Sequence, residues 1–277
     1  MFNPVWVTGF KTKELPIELS KKGDSSSIAF YIWRFIMLKK ITQLSSAFYQ
    51  DYDEKIYSQI LRKKTRPYSI FTIELDNNIY AIPFKSNLSH NNGYLFKDSK
   101  RKGNPGLDFK KTVVILKKEY LDNEPINVDS NEARNVRMNA DKIHTLFKKY
   151  IYSYKKYLLH PIEGYKIAGN YINTSLIYFL EEIGIKETEQ LHLELKFSVI
   201  LFYINNFLKK DGYFINFYFR KDKNNLYIED KQRNLLFMLN NDNLPDYCFK
   251  ESRSSYMRKG PKYVEIINRI NELKTLD

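Results

Sequence analysis

The chain has 277 residues, 43% of them hydrophobic and 16% aromatic, with a formal charge of +13 and a pI near 9.4. That is enough apolar material for one large core or two small ones, which excludes the disordered and fibrous classes and leaves a polyanionic partner as the natural expectation. Its single cysteine, Cys248, excludes an internal disulfide and any cysteine-built metal cluster, as suits a reducing cytoplasm.

In chain order, residues 1–36 mix Pro4, Gly9, Pro16 and Gly23 with the run Ser25-Ser26-Ser27 and lack the pattern of a secretory signal. The apolar run Ile28–Leu38 is short and contains Arg34, too little to span a bilayer, so no membrane contact is expected. Met37-Leu38-Lys39-Lys40 reads as an ordinary bacterial start. Residues 1–36 are therefore expected to be an extension outside the core, or to precede the true start. Phe48 to Leu61 suggests a short helix, ended by Arg66-Pro67 because proline disfavours helix in the residue before it.

Strand periodicity then sets in. Phe71, Ile73 and Leu75 alternate with Ile70, Thr72 and Glu74 over Tyr68–Leu75, Asp76-Asn77-Asn78 is turn chemistry, and Ile79–Phe84 forms the return strand of a hairpin. Tyr94–Lys97 reads as a third strand, Asp98–Asp108 as a basic loop punctuated by Gly and Pro, and Lys111–Lys117 as a buried strand. From Asn131 to Tyr157, Ile143, Phe147, Tyr150, Ile151, Tyr154 and Leu158 recur at helical spacing. Beyond residue 185 the pattern predicts a helix over Leu191–Leu208, a hairpin of Tyr213–Phe219 with Asn225–Glu229, and a closing helix over Lys262–Leu273. The fold class is α+β, a sheet with packed helices followed by a further α/β segment.

The charge is unevenly placed. Residues 55–118 hold fourteen Lys or Arg against four acids, whereas residues 186–277 hold sixteen against thirteen. A run of lysines is often only a solvated face, so its value depends on what lies among it. Here it encloses Ala81-Ile82-Pro83-Phe84-Lys85-Ser86-Asn87-Leu88-Ser89-His90, where a strand ends near a proline that cannot donate to a ladder. A cation, a hydroxyl, an amide and an imidazole follow in an exposed loop. Those groups suit RNA cleavage without a metal or other cofactor, because the RNA supplies its own 2′-OH nucleophile. The protein needs only acid–base help and charge on the phosphate. Taken singly, a loop histidine such as His90 is more often a plain surface or capping residue, and a serine such as Ser86 more often a turn residue than a phosphate ligand.

The series RPYSIFTIELDNNIYAIPFKSNLSH, followed by GLDFKKTVVI, resembles the endoribonuclease toxins of type III toxin–antitoxin systems, the ToxN, AbiQ, CptN and TenpN group, and its TenpN branch in particular. ITQLSSAFYQDY before it and YKIAGNYINTSLIYF after it look like the opening and closing segments, so the resemblance covers about 37–185. It implies a compact, strongly twisted antiparallel sheet, an SH3-like barrel similar to the MazF/Kid toxins. It also implies metal-independent cleavage to 2′,3′-cyclic phosphate and 5′-OH ends, inhibition by a small repetitive antitoxin RNA in a cyclic protein–RNA assembly, and cellular or phage mRNA as substrate. Such systems serve antiviral defence by abortive infection. By this resemblance Lys85, Ser86 and His90 are the catalytic residues, His90 through the SNxxH pattern. Leu88 stands where ToxN carries a lysine, which leaves the general acid unassigned.

The expected RNA-binding set comprises Arg66, Tyr68, Asn87, Tyr94, Lys100, Arg101, Lys102, Lys110 and Lys111, with Tyr94 as an exposed stacking ring and Phe71 and Phe84 as core. Residues 186–277 carry no recognisable chemistry. The competing expectations are a non-catalytic RNA-binding module on an SH3-like barrel, and an interaction protein whose basic patch binds nothing in particular.

Overall fold

Within the first strands, sequence and structure agree closely. The computed structural model describes residues 39–62, 68–97, 99–122, 126, 128–210, 218–222, 225–229 and 235–240. Strand β2 (Ser69–Leu75) and strand β3 (Asn78–Lys85) pair antiparallel from Ile70↔Pro83 to Leu75↔Asn78. The two residues between them, Asp76 and Asn77, have φ of 49° and 65°, as a type I′ hairpin turn demands, and Asp and Asn tolerate this region best after glycine.

Around this hairpin lie β1 (Ile41–Leu44), β4 (Gly93–Leu95), β5 (Gly106–Asp108), β6 (Val113–Ile115) and β7 (Leu121–Asp122). They form a seven-stranded antiparallel sheet ordered β4-β5-β3-β2-β1-β7, with β6 also on β3. The expected closed barrel is not formed. The sheet is open, with β4 and β7 at the ends of the order. Strand β3 does end two residues past Pro83, at Lys85, but inside the sheet. Strand β3 pairs with β6 through Ile79–Ala81 and with β5 through Phe84 and Lys85, so Pro83 occupies the handover, where neither of those ladders uses its nitrogen. The expected strand over Lys111–Lys117 shortens to β6, because Phe109–Lys111 closes into a 3-10 turn.

Helix α1 (Ser46–Asp51) is capped by the Ser45 side chain and stops well short of Leu61. Asp53 accepts the Lys55 N–H at 2.8 Å, a local turn that competes with helix. The long predicted helix is two, α2 (Ser130–Met138) and α3 (Ala140–Leu159), parted at Asn139, whose side-chain amide donates to the Asn135 carbonyl at 2.9 Å. All six periodic residues of the pattern are buried. Phe147 meets Tyr80 and Phe109 edge-on at 5.1 and 5.4 Å, seating α3 on the sheet.

The chain divides into two compact units, Met1–Tyr152 with Thr174–Gly184, and Ser153–Asn173 with Ile185–Asp277. The expected boundary at 185 lies beside one of these crossings, while 153–173 group with the C-terminal residues. In the second unit Tyr157 donates its hydroxyl to Ser198 on helix α4 (Glu189–Lys210) and stacks on Tyr171 at 5.0 Å. A separate antiparallel sheet contains β8 (Tyr218–Lys221), β9 (Asn225–Glu229) and β10 (Leu235–Asn240), the last not anticipated. The 1–36 segment, Arg66, Cys248 and the expected helix over Lys262–Leu273 lie outside the described residues.

Packing requires glycine at Gly93, as it does at Gly106 on β5. Gly93 sits opposite Asp108 in the β4–β5 register, and a Cβ there would meet the Leu107 carbonyl oxygen and lie 2.6 Å from Leu88 Cδ2. Gly93→Ala must therefore wedge β4 from β5. Urea denaturation should register a loss of about 1–3 kcal/mol; unchanged stability would mean the two strands separate at no cost.

Candidate functional site

Two of the three expected catalytic residues converge, and the group that joins them is a carboxylate. Asp108, at the end of β5, has no exposed side-chain surface. Its Oδ2 accepts from Lys85 Nζ at 2.8 Å and its Oδ1 lies 3.2 Å from His90 Nε2. The Lys110 backbone N–H donates to the same Oδ1 at 3.0 Å, capping the 3-10 turn. Burial pushes the Asp108 carboxyl up, but hydrogen bonds and charge from His90 and Lys85 outweigh it and hold the group below its ordinary value. A buried carboxylate paired with the Lys85 ammonium keeps its charge and, by accepting from Nε2–H, orients the imidazole so that Nδ1 is the nitrogen left without a partner. Among the described residues, Nδ1 is buried and has no hydrogen-bond partner.

In the sequence Asp108 is merely one acid in a basic window, and nothing there assigns it to the site. The available signal is its spacing: an acid just past a cation-rich loop, two residues before paired lysines. Ser86 and Asn87 follow Lys85 directly and are exposed. Gly103, at φ +95°, brings the basic loop against them, since a Cβ there would lie 3.4 Å from the Ser86 carbonyl oxygen and 3.6 Å from Asn87 Oδ1. Leu88 is buried and donates its N–H to the Asn104 carbonyl at 2.7 Å.

The expected RNA-binding residues separate into two groups. Lys100 and Lys102 are exposed on the loop. Arg101 is instead directed to Glu132, a buried residue of α2, with Nε 3.3 Å from Oε1, while Ser99 donates to the same oxygen at 2.8 Å. Lys111 is also inward: its Nζ donates to the Gln59 carbonyl and side-chain oxygens, both at 3.0 Å, and Ser175 fixes that carbonyl from the other side at 2.7 Å. Lys110 is half-buried. Tyr68 is half-buried and lines a small recess with Tyr49, Pro83 and Lys111. Tyr94, expected as an exposed stacking ring, is buried because β4 turns it inward, and its hydroxyl donates to Asn135 at 3.0 Å. Phe71 and Phe84 are core, as expected.

Two consequences can be measured. Glu132→Ala strands the Arg101 guanidinium and frees Ser99. Because Arg101 keeps a third of its side chain in solvent, the full cost of breaking a buried pair is reduced, and a loss of about 1–3 kcal/mol is expected in urea; no loss would mean the loop is held elsewhere. Burial lowers the Lys111 ammonium to about 8, against the opposing pull of Asp108. The folded value lies below the unfolded one near 10.5, so the unfolded chain binds more protons between the two. Stability should therefore rise with pH from about 8 to 9.5, relative to Lys111→Met measured alongside; parallel curves would contradict the burial argument.

Among the described residues no three His, Cys, Asp or Glu side chains cluster as a metal site, and no helix is long and apolar enough to cross a membrane. Compared with family models, curated proteins and solved structures, the chain matches none. The likeness to type III toxins rests on the residues of the 37–185 stretch alone.

Proposed function

We propose that residues 37–185 carry a cytoplasmic, metal-independent endoribonuclease of the type III toxin kind, held in check by a small repetitive RNA. The observation that carries this reading is the Lys85–Asp108–His90 cluster beside exposed Ser86, in the loop where the sequence resemblance is densest. In the reaction the RNA 2′ oxygen attacks the adjacent phosphorus and the P–O5′ bond breaks. The 2′ proton leaves to His90, and a proton arrives at the departing 5′ oxygen. The products are a 2′,3′-cyclic phosphate and a 5′-OH. Asp108 orients His90 and stabilises the imidazolium it becomes. Lys85 and the Ser86 hydroxyl meet the charge that grows on the phosphate oxygens. With Leu88 buried in place of the family's lysine, the proton for the 5′ oxygen comes from another donor.

One observation favours a second reading, a non-catalytic RNA-binding module. His90 Nε2 is engaged by Asp108 and Nδ1 is covered, so the ring must turn or the loop must shift before a nitrogen reaches substrate. Purified protein with mixed single-stranded RNA in EDTA separates the two. Cleavage to cyclic-phosphate ends supports the nuclease. Intact RNA, bound with an affinity that falls steeply with salt, supports the module.

A further inference from the structure

Next to His90 the first unit has a cavity of about 260 Å³ whose lining includes Leu88, Leu95, Lys97, Lys142 and Leu146. Leu95, on β4, is 53% exposed and Leu146, on α3, is 37% exposed. Single exposed leucines are ordinary on a protein surface. Two on one concavity, with two lysines and a histidine and no carboxylate in its lining, make a more specific pattern. A purely apolar partner gains nothing from the lysines, and a phosphate alone gains nothing from the leucines. A nucleotide uses both, through a flat apolar base and an adjoining phosphate. The volume lies near the lower end of the range for small-ligand sites, roughly 300 Å³, room for one ring system rather than a folded segment.

We propose that this cavity receives one unstacked base of a single-stranded RNA, held against Leu95 and Leu146, with Lys97 and Lys142 on the flanking phosphates. It rests on the RNA-cleavage reading and adds a base-selecting subsite next to the reacting phosphate. None of these four residues belongs to the RNA-binding set expected from sequence. Sequence-reading of single-stranded RNA commonly works on bases splayed out of the stack.

The test uses the full chain and a set of RNA oligonucleotides made uncleavable by 2′-O-methylation, each abasic at one position. Anisotropy should find one position where losing the base weakens binding about tenfold, as losing roughly 50 Å² of buried apolar contact would. The Leu95→Asp/Leu146→Asp variant should bind all oligonucleotides alike; both leucines are exposed, and its circular dichroism and melting verify the fold. Lys97→Ala/Lys142→Ala should make the salt slope shallower by about 1.4, two phosphate contacts on a single strand. Unmodified RNA is scored for cleavage beside these. RNA that is cut while the leucine variant still senses the same position overturns the subsite and leaves the nuclease standing. A sensed position that disappears in the variant, with no cleavage by either protein, keeps the subsite and overturns the nuclease. Self-association of the wild type that the leucine variant lacks, with RNA affinity unchanged, assigns the surface to a second copy of the chain and overturns the proposal.

Discussion

Asp108→Asn should lower both stability and RNA cleavage, the first by about 3 kcal/mol and the second on the order of 10²-fold or more. The carboxylate is fully buried and carries Lys85 and His90, so an amide leaves the Lys85 ammonium facing a neutral partner and the His90 ring without its charged acceptor. Breaking a buried pair usually costs roughly 3–5 kcal/mol. The lower end applies here because Lys85 and His90 keep 30% and 24% of their side chains exposed and recover some hydration. Linkage adds a pH signature. The folded carboxyl sits below its unfolded value, so its contribution is complete above the ordinary carboxylate range and disappears as pH falls through the folded value. Wild type should therefore lose its advantage over Asp108→Asn only in acid. A variant as stable as wild type at neutral pH, with unchanged turnover, would deny Asp108 any part in the site.

His90→Ala and Ser86→Ala should each cut turnover by about 10²–10⁴ while RNA affinity changes little. The asymmetry with Asp108 is diagnostic. Ser86 is exposed, so its loss should be silent in urea denaturation, whereas removal of His90 leaves one Asp108 oxygen with fewer donors and carries a modest stability cost. Single-turnover cleavage and anisotropy on the same preparations separate rate from binding. Equal losses in both would give the residues a role in placing RNA instead of in the chemical step.

Much of the first unit is legible in the sequence because its signals are local. The Tyr68–Phe84 hairpin carries alternation and a turn whose residues tolerate positive φ, and helix α3 carries its six buried positions at helical spacing. What escapes depends on distant partners. Strand β1 is four residues whose pairing is with Phe71, Ile70 and Ser69, and whose Thr42 and Gln43 are satisfied at Asp122, far along the chain. Nothing in Ile41–Leu44 alone announces it. The site follows the same rule. Lys85 and His90 can be read from one loop, but Asp108 gains its meaning only when β5 is laid along β3 and β4. Charge misleads for a related reason: Arg101 and Lys111 look like solvent-facing cations in the sequence, and only tertiary packing reveals Glu132 and Gln59 as their acceptors.

The most direct test of RNA cleavage at the Asp108 cluster is made on one oligonucleotide that carries a 2′-deoxy sugar at its mapped cleavage position, incubated with wild-type protein in EDTA. Abolition of cutting at that position alone, with cyclic-phosphate ends wherever the all-ribose RNA is cut, is the predicted result. Continued cutting at the deoxy position, or products bearing 5′-phosphate ends, would contradict attack by the RNA's own hydroxyl and, with it, the catalytic roles of His90, Ser86 and Lys85.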